Sequence, residues 1–302
     1  MFIYGIKLFD VILVQNPNGK LKLMKTLKKT IMISALFGMA LFAVSCDKDD
    51  DTASEGDVAN FSAENAVLAA KADNAIEGTL NIMETAFDES EGPDNGGTNL
   101  SLFSDCATII VNANGDGTGT ILLDFGDVCT LNNGASVSGK INLAYEAIVD
   151  NSRTINYTFE NFTYNSNGVE GGGDIVRTLA NANGNPASTV NETITVSFPS
   201  STVTATREGL RVAEWVEGVG SGTWVDNVYH ITGNWITTFS NGFERTGIVT
   251  QTLVRRLDCF YLVEGELEIA QDGLTGSLDF GDGTCDNDAV FTINGIEFPV
   301  EL

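Results

Sequence analysis

From Leu100 onward, apolar and polar residues alternate in short runs rich in β-branched and aromatic side chains, separated by clusters of Asn, Asp and Gly. Within Val228 to Phe239, residues Tyr229, Ile231, Trp235 and Phe239 share one parity, and His230, Thr232 and Asn234 the other. A two-residue period of this kind describes a strand with one face in a core and one in water. The interruptions at Asn114-Gly115-Asp116-Gly117, Asn132-Asn133-Gly134, Asn165-Ser166-Asn167-Gly168, Asn241-Gly242, Asp272-Gly273 and Asn294-Gly295 leave no room for helical crossovers, so neighbouring strands should pair antiparallel. Asn294-Gly295, between Phe291-Thr292-Ile293 and Ile296-Glu297-Phe298, is a two-residue hairpin signal, because both turn positions need positive φ.

One stretch, roughly Ala63 to Phe87, has a helical period instead: Ile76, Leu80, Met83 and Phe87 recur at four, three and four residues, with Ser62 placed to cap the start. A single apolar stripe with a polar back predicts a helix docked on a sheet, ended by the segment Asp88 to Thr98. The fold class expected is all-β, an antiparallel meander forming a β-sandwich or a strongly curved sheet, with one N-terminal helix.

Two segments of the β region repeat each other. Cys106, Leu123-Asp124-Phe125-Gly126-Asp127 and Cys129 in residues 105–129 correspond to Cys259, Leu278-Asp279-Phe280-Gly281-Asp282 and Cys285 in residues 258–285. Such a recurrence implies a duplicated strand–turn–strand unit. In the second copy a turn centred on Asp272 sets Cys259 opposite Cys285 and predicts a cross-hairpin disulfide. In the first, a centre between Gly115 and Asp116 sets Cys106 opposite Phe125, so a bond to Cys129 needs a bulge or a folded-back strand end. Pairing of Cys106 with Cys259 and Cys129 with Cys285 stays open if the repeats lie side by side.

Ahead of the β region, residues 24–46 read MKTLKKTIMISALFGMALFAVSC. Lys25, Lys28 and Lys29 precede an apolar run from Ile31 to Val44, too short for a bilayer span of about 20 residues but suited to a signal peptide. Ala43, Val44 and Ser45 before Cys46 resemble a lipobox, which implies cleavage before Cys46 and diacylation of its thiol. Asp47-Lys48-Asp49-Asp50-Asp51 is similar to the acidic export tag of Bacteroidota surface lipoproteins, and Asp51-Thr52-Ala53 is similar to an O-glycosylation sequon of that phylum. The repeated Asp-Phe-Gly and cysteine strand ends also resemble lipoproteins of the Bacteroidota. The resemblance implies an outer-membrane lipoprotein displayed on the cell surface, and implies no activity. The organisation expected is therefore a mis-assigned upstream start (1–23) ahead of the true start at Met24, a lipoprotein signal peptide (24–45), an acidic tether (46–60), a helix with linker (61–98) and an antiparallel β domain (99–302).

Charge narrows the partners. Six lysines (Lys7, Lys20, Lys22, Lys25, Lys28, Lys29) and only Asp10 precede Cys46, so the remainder carries 10 basic and 40 acidic of the chain's 16 and 41, a net of −30. Such a field repels phosphate backbones and anionic headgroups, so membrane attachment is expected through the lipid alone and nucleic acid is not expected as a partner. Cys106, Cys129, Cys259 and Cys285 form an even set in an exported chain and read as two disulfides. With no Cys-x-x-Cys spacing and one histidine, His230, no zinc site is expected.

Candidate chemistry is sparse, and no cofactor motif occurs. Asn112-x-Asn114-x-Asp116-Gly117 matches the first half of a calcium loop, but its twelfth position is Leu123, and a hairpin turn accounts for it equally well. Asp279, Asp282, Asp286 and Asp288 are weak candidates for a cation. Glu264, Glu266 and Glu268 alternate along one strand as a solvated sheet face does. A lone histidine argues against a Ser-His-Asp or Cys-His nucleophile, so no catalytic residue is expected. Trp215 shares parity with Arg211, Ala213 and Glu217, and Trp224 with Asp226, which makes these two rings a candidate ligand platform. The function expected is that of a non-enzymatic surface protein binding a glycan or a protein partner. The alternatives are a structural component of the envelope or an assembly, and a carboxylate-dependent hydrolase.

Overall fold

The computed structural model describes residues 12–15, 21–24, 63–91, 101–259, 261–271 and 273–301. The chain divides into two units, Phe9–Phe61 and a larger one comprising Met1–Leu8 with Ser62–Leu302. The smaller unit contains an antiparallel hairpin, β1 (Ile12–Gln15) with β2 (Leu21–Met24). The apolar leader, Cys46, the acidic tag and Ser62 lie outside the described residues.

In the larger unit the helical period becomes α1 (Ala63–Glu91), one turn longer than its apolar stripe. The alternating runs become β3 (Thr108–Ala113), β4 (Gly119–Asp124), β5 (Cys129–Thr130), β6 (Ser136–Tyr145), β7 (Ser152–Tyr164), β8 (Asn167–Thr178) and β9 (Ala187–Ser197). They continue as β10 (Thr204–Glu217), β11 (Val228–Phe239), β12 (Glu244–Arg256), β13 (Leu262–Gln271), β14 (Leu274–Asp282), β15 (Asp288–Ile293) and β16 (Ile296–Glu301). All belong to one open 14-stranded antiparallel sheet in which each strand bonds its neighbour in sequence, except that β4 pairs with β6 and the short β5 adds beside it. Asn294 and Gly295 turn the β15–β16 hairpin with φ of 52° and 71°.

Of the two all-β forms expected, the strongly curved sheet is the one adopted. Ile76, Leu80, Met83 and Phe87 of α1 are buried in one cluster with inner side chains from every strand between β4 and β10, including Ile121, Ile141, Tyr157, Val169, Ile194 and Ala205. Those six strands laid flat would span roughly 24 Å, about twice the diameter of a helix. One cluster can take in the helix and all six strands only if the sheet bends around α1. Bulges supply the bending: the β6–β7 register shifts between Ser138 and Lys140 at Gly139, whose φ is 76°. A Cβ there would lie 2.2 Å from the Asn161 carbonyl oxygen, so only glycine fits.

Each repeat is a hairpin closed by its own disulfide, Cys106–Cys129 around β3–β4 and Cys259–Cys285 around β13–β14. The shared Asp-Phe-Gly forms the same strand end twice. Asp124 Oδ1 accepts from the Gly126 N–H at 3.0 Å and Asp279 Oδ1 from the Gly281 N–H at 2.9 Å, while Phe125 and Phe280 turn inward. Registers differ slightly from those expected. Thr108 faces Asp124, which sets Cys106 against Gly126 rather than Phe125, and Cys129 is reached because the chain folds back into β5. In the second copy Gln271 faces Leu274, half a residue beyond the turn centre expected, and a bulge between Glu264 and Glu266 shifts the register one residue further, so Cys259 and Cys285 meet through the segments beyond the ends of β13 and β14.

Candidate functional site

The polar back of α1 does not face water. Asp73, Glu77, Glu84 and Asp88 recur at four, seven and four residues and form an acidic stripe along the helix. Opposite it stand arginines. All seven in the chain lie on β7, β8, β10 and β12, and the inner-face ones include Arg177, Arg207, Arg211, Arg245 and Arg255. Their parity is that of Tyr157, Ile175, Ala213 and Leu253, which are buried. Hence the inner face of the central strands carries cations where an amphipathic pattern would put leucines.

The pairs are direct. Arg207 Nε donates to Glu192 Oε1 at 2.6 Å and its Nη2 to Glu77 Oε1 at 2.7 Å. Arg211 donates from Nε to Glu77 Oε2 at 3.1 Å and from Nη1 to Glu84 Oε1 at 2.8 Å. Arg245 pairs with Asp73 and Arg177 with Asp88, whose other oxygen accepts from the Tyr229 hydroxyl at 2.7 Å. Burial alone would raise the Glu77 carboxyl, but Arg211 and Arg207 outweigh it and hold it down at about 2. At Asp88 burial wins over Arg177 and Tyr229 and pushes the carboxyl up to about 6. Burial also opposes the charge on Arg207, yet Glu192, Glu77 and Asp73 keep it above the usual arginine range.

Beyond this ladder the sheet forms a second apolar cluster, to which α1 contributes no residue. Between the acidic side of α1 and that cluster lies a cavity of about 430 Å³, within the size range of ligand sites. Its sheet side carries an apolar patch of Trp224, Trp235, Leu253, Leu267, Leu278 and Phe280 beside the arginines of β10 and β12, and its helix wall is polar, with Asp73, Glu77, Asn81 and Thr85. Trp235 lies flat because its register partner on β12 is Gly247, where a Cβ would come within 2.4 Å of the indole. The Arg207 guanidinium stacks 4.8 Å from the same ring's centroid. A register irregularity of β12 between Ile248 and Leu253 re-aims the strand, and Leu253 and Arg255 beyond it both line the cavity.

The residues singled out from sequence fall in several places. Trp224 is on the cavity wall, while Trp215 is half-buried beside it, stacked on Tyr229 with ring centroids 6.0 Å apart. Neither is an exposed outer platform: the parity of Arg211, Ala213 and Trp215 looks polar only because Arg211 is answered by acids inside, and a bulge after Trp215 turns Glu217 away. Asp279 accepts from Gly281, Asp282 from the backbone and hydroxyl of Thr284, and Asp286 from the Asp288 N–H, so three of these four carboxylates are used as turn acceptors. Among the described residues no group of three or more His, Cys, Asp or Glu is placed to hold a metal ion. Asp116 accepts from the Thr118 N–H and hydroxyl in the β3–β4 turn. His230 is on the outer face opposite Glu214, and Glu264, Glu266 and Glu268 alternate with the buried Val263, Leu267 and Ile269.

Sequence reading missed the cavity and its arginines. The signal was present in two parts, the acidic stripe of α1 and the confinement of arginine to four strands, but each part alone looks like a solvated face. Compared with known proteins, the chain matches no family model, no curated protein and no solved structure.

Proposed function

We propose that this chain is a lipid-anchored, non-enzymatic binding protein of the cell envelope whose ligand occupies the cavity between α1 and strands β10–β14. The observation that carries the reading is the cavity itself: a sizeable internal space with an apolar patch and a polar wall, in a fold whose first half is already filled by the helix. The lipobox at Cys46 and the acidic residues after it support attachment to the outer membrane and display at the cell surface. With Trp224 on the wall, recognition moves from the outer surface, where a glycan or protein partner would dock, to the interior.

The test is saturable binding of an apolar, environment-sensitive dye such as Nile red to the full chain. One site per chain is expected, and Leu253→Trp, which enlarges a wall residue, should weaken the dye at least about tenfold while the protein still unfolds cooperatively. Dye binding that does not saturate, or that ignores the substitution, would remove the cavity from the function.

A role in an envelope assembly is favoured by one other feature. Among the described residues β3 is an edge of the sheet with no strand paired on its outer side, and Ile110 and Val111 are exposed on it (44% and 47%), an arrangement open to strand addition by a partner.

A further inference from the structure

The polar atoms of the cavity wall that lack partners are all of one kind. Three buried side-chain atoms of residues lining the cavity make no hydrogen bond among the described residues: Arg207 Nη1, Arg211 Nη2 and Trp224 Nε1. Each is a donor. No buried acceptor on the wall is left without a partner, although Asp73 and Glu77 contribute carboxylates to it, because the arginines already engage these. Arg207 Nη1 retains a longer ion pair to Asp73 Oδ1 at 3.7 Å, while Arg207 and Arg211 as whole residues are 0% and 3% exposed. These three donor atoms have almost no accessible surface on the cavity, so they add positive potential behind its wall rather than offer hydrogen bonds to a ligand.

Arg255 adds the charge. It lines the cavity from β12 next to Leu253, yet it makes no hydrogen bond and no ion pair with any described residue, in contrast to Arg207, Arg211 and Arg245. Burial and the neighbouring Arg211 cation both disfavour its charge, and Glu77 and Glu84 offset this only from a distance. The acids along α1 and β9 are thus spent on the other three arginines, and one cation facing the space is left without a counter-ion.

We infer that the cavity receives an amphiphile carrying a single oxyanion head, of the long-chain carboxylate class, with the head at Arg255 and the apolar body along Leu253, Leu267, Leu278 and Phe280. This deepens the proposal that the cavity is the binding site and rests on it. A neutral apolar ligand would satisfy the leucines and leave Arg255 without a counter-ion. A polyanion would bring further negative charge against Glu77. A cation would find its carboxylates already engaged.

Binding of the full chain to a fluorescent polyene fatty acid and to its methyl ester at pH 7.5 tests the inference, with Nile red measured alongside. The free acid is expected to bind at least about tenfold more tightly than the ester, the worth of one charge-assisted hydrogen-bonded pair. Arg255→Gln should bring the acid down to the ester's affinity, and Arg255→Lys should restore part of the preference. Equal affinities for acid and ester in the unmodified protein would overturn the ligand class without needing any variant. A preference that persists in Arg255→Gln would overturn the assignment of the head. Binding of Nile red without the acid would leave the cavity as a site and refute only the anion, whereas failure of all three ligands would refute both readings.

Discussion

Arg207 is the largest fully buried side chain among the described residues, and its guanidinium is held by carboxylates from two directions, Glu192 on the neighbouring strand and Glu77 on the helix. Glu192 is as enclosed as Arg207, each side chain being 1% exposed. Removing one member of such a pair leaves a charge without water or a counter-ion, which typically costs 3–5 kcal/mol, while replacing both by apolar residues of similar size is often neutral. Arg207→Met should therefore lower unfolding free energy in urea by about 3–5 kcal/mol, and adding Glu192→Leu should recover a good part of that loss. If the double variant were no more stable than the single one, Glu77 and Asp73 rather than Glu192 would be the partners that matter. Little of this pair was legible in the sequence, since Glu192 and Arg207 sit in runs whose alternation is ordinary. Only the register of β9 on β10, with Arg207 facing Ile194, brings them together, and register is not encoded in either strand alone.

At the scale of elements, the strands were readable because turn chemistry and a two-residue period are local properties. Asn294-Gly295 turns where both residues take positive φ, and Tyr229, Ile231 and Phe239 face inward as their parity requires. The apolar stripe of α1 was readable for the same reason. What was hidden is the direction of its polar face, because a sequence shows that Asp73, Glu77 and Glu84 share a side but not that arginines from β10 and β12 wait opposite. The two disulfides separate these levels experimentally. Both close loops of similar length, 23 and 26 residues apart in sequence, so the chain-entropy model assigns each about 3 kcal/mol. Only Cys259, however, borders the cavity. Replacing Cys106 and Cys129 by Ser should lower the melting temperature and leave Nile red affinity alone. Replacing Cys259 and Cys285 should lower both, and equal dye affinities in the two variants would show that the second bond does not shape the site.

For the molecule as a whole, location and fold come from different parts of the chain. In the proposed reading the basic and apolar leader with Cys46 carries the address, and the sheet with its helix carries the binding space. Replacing Cys46 with Ser should abolish incorporation of radiolabelled palmitate and release the protein from the membrane fraction, and continued labelling would disprove lipid attachment at that cysteine. If the chain is exported as proposed, the β domain follows its leader in an order that suits that route. Because each strand joins the one made just before it, apart from the small detour at β5, the sheet has low topological complexity despite its size. A chain threaded across a membrane from its N-terminus delivers α1 first and then the strands that wrap it. The growing sheet needs to present only one unfinished edge at any moment, so strands could be added one by one as they emerge, with the helix as the mandrel on which the sheet is wound.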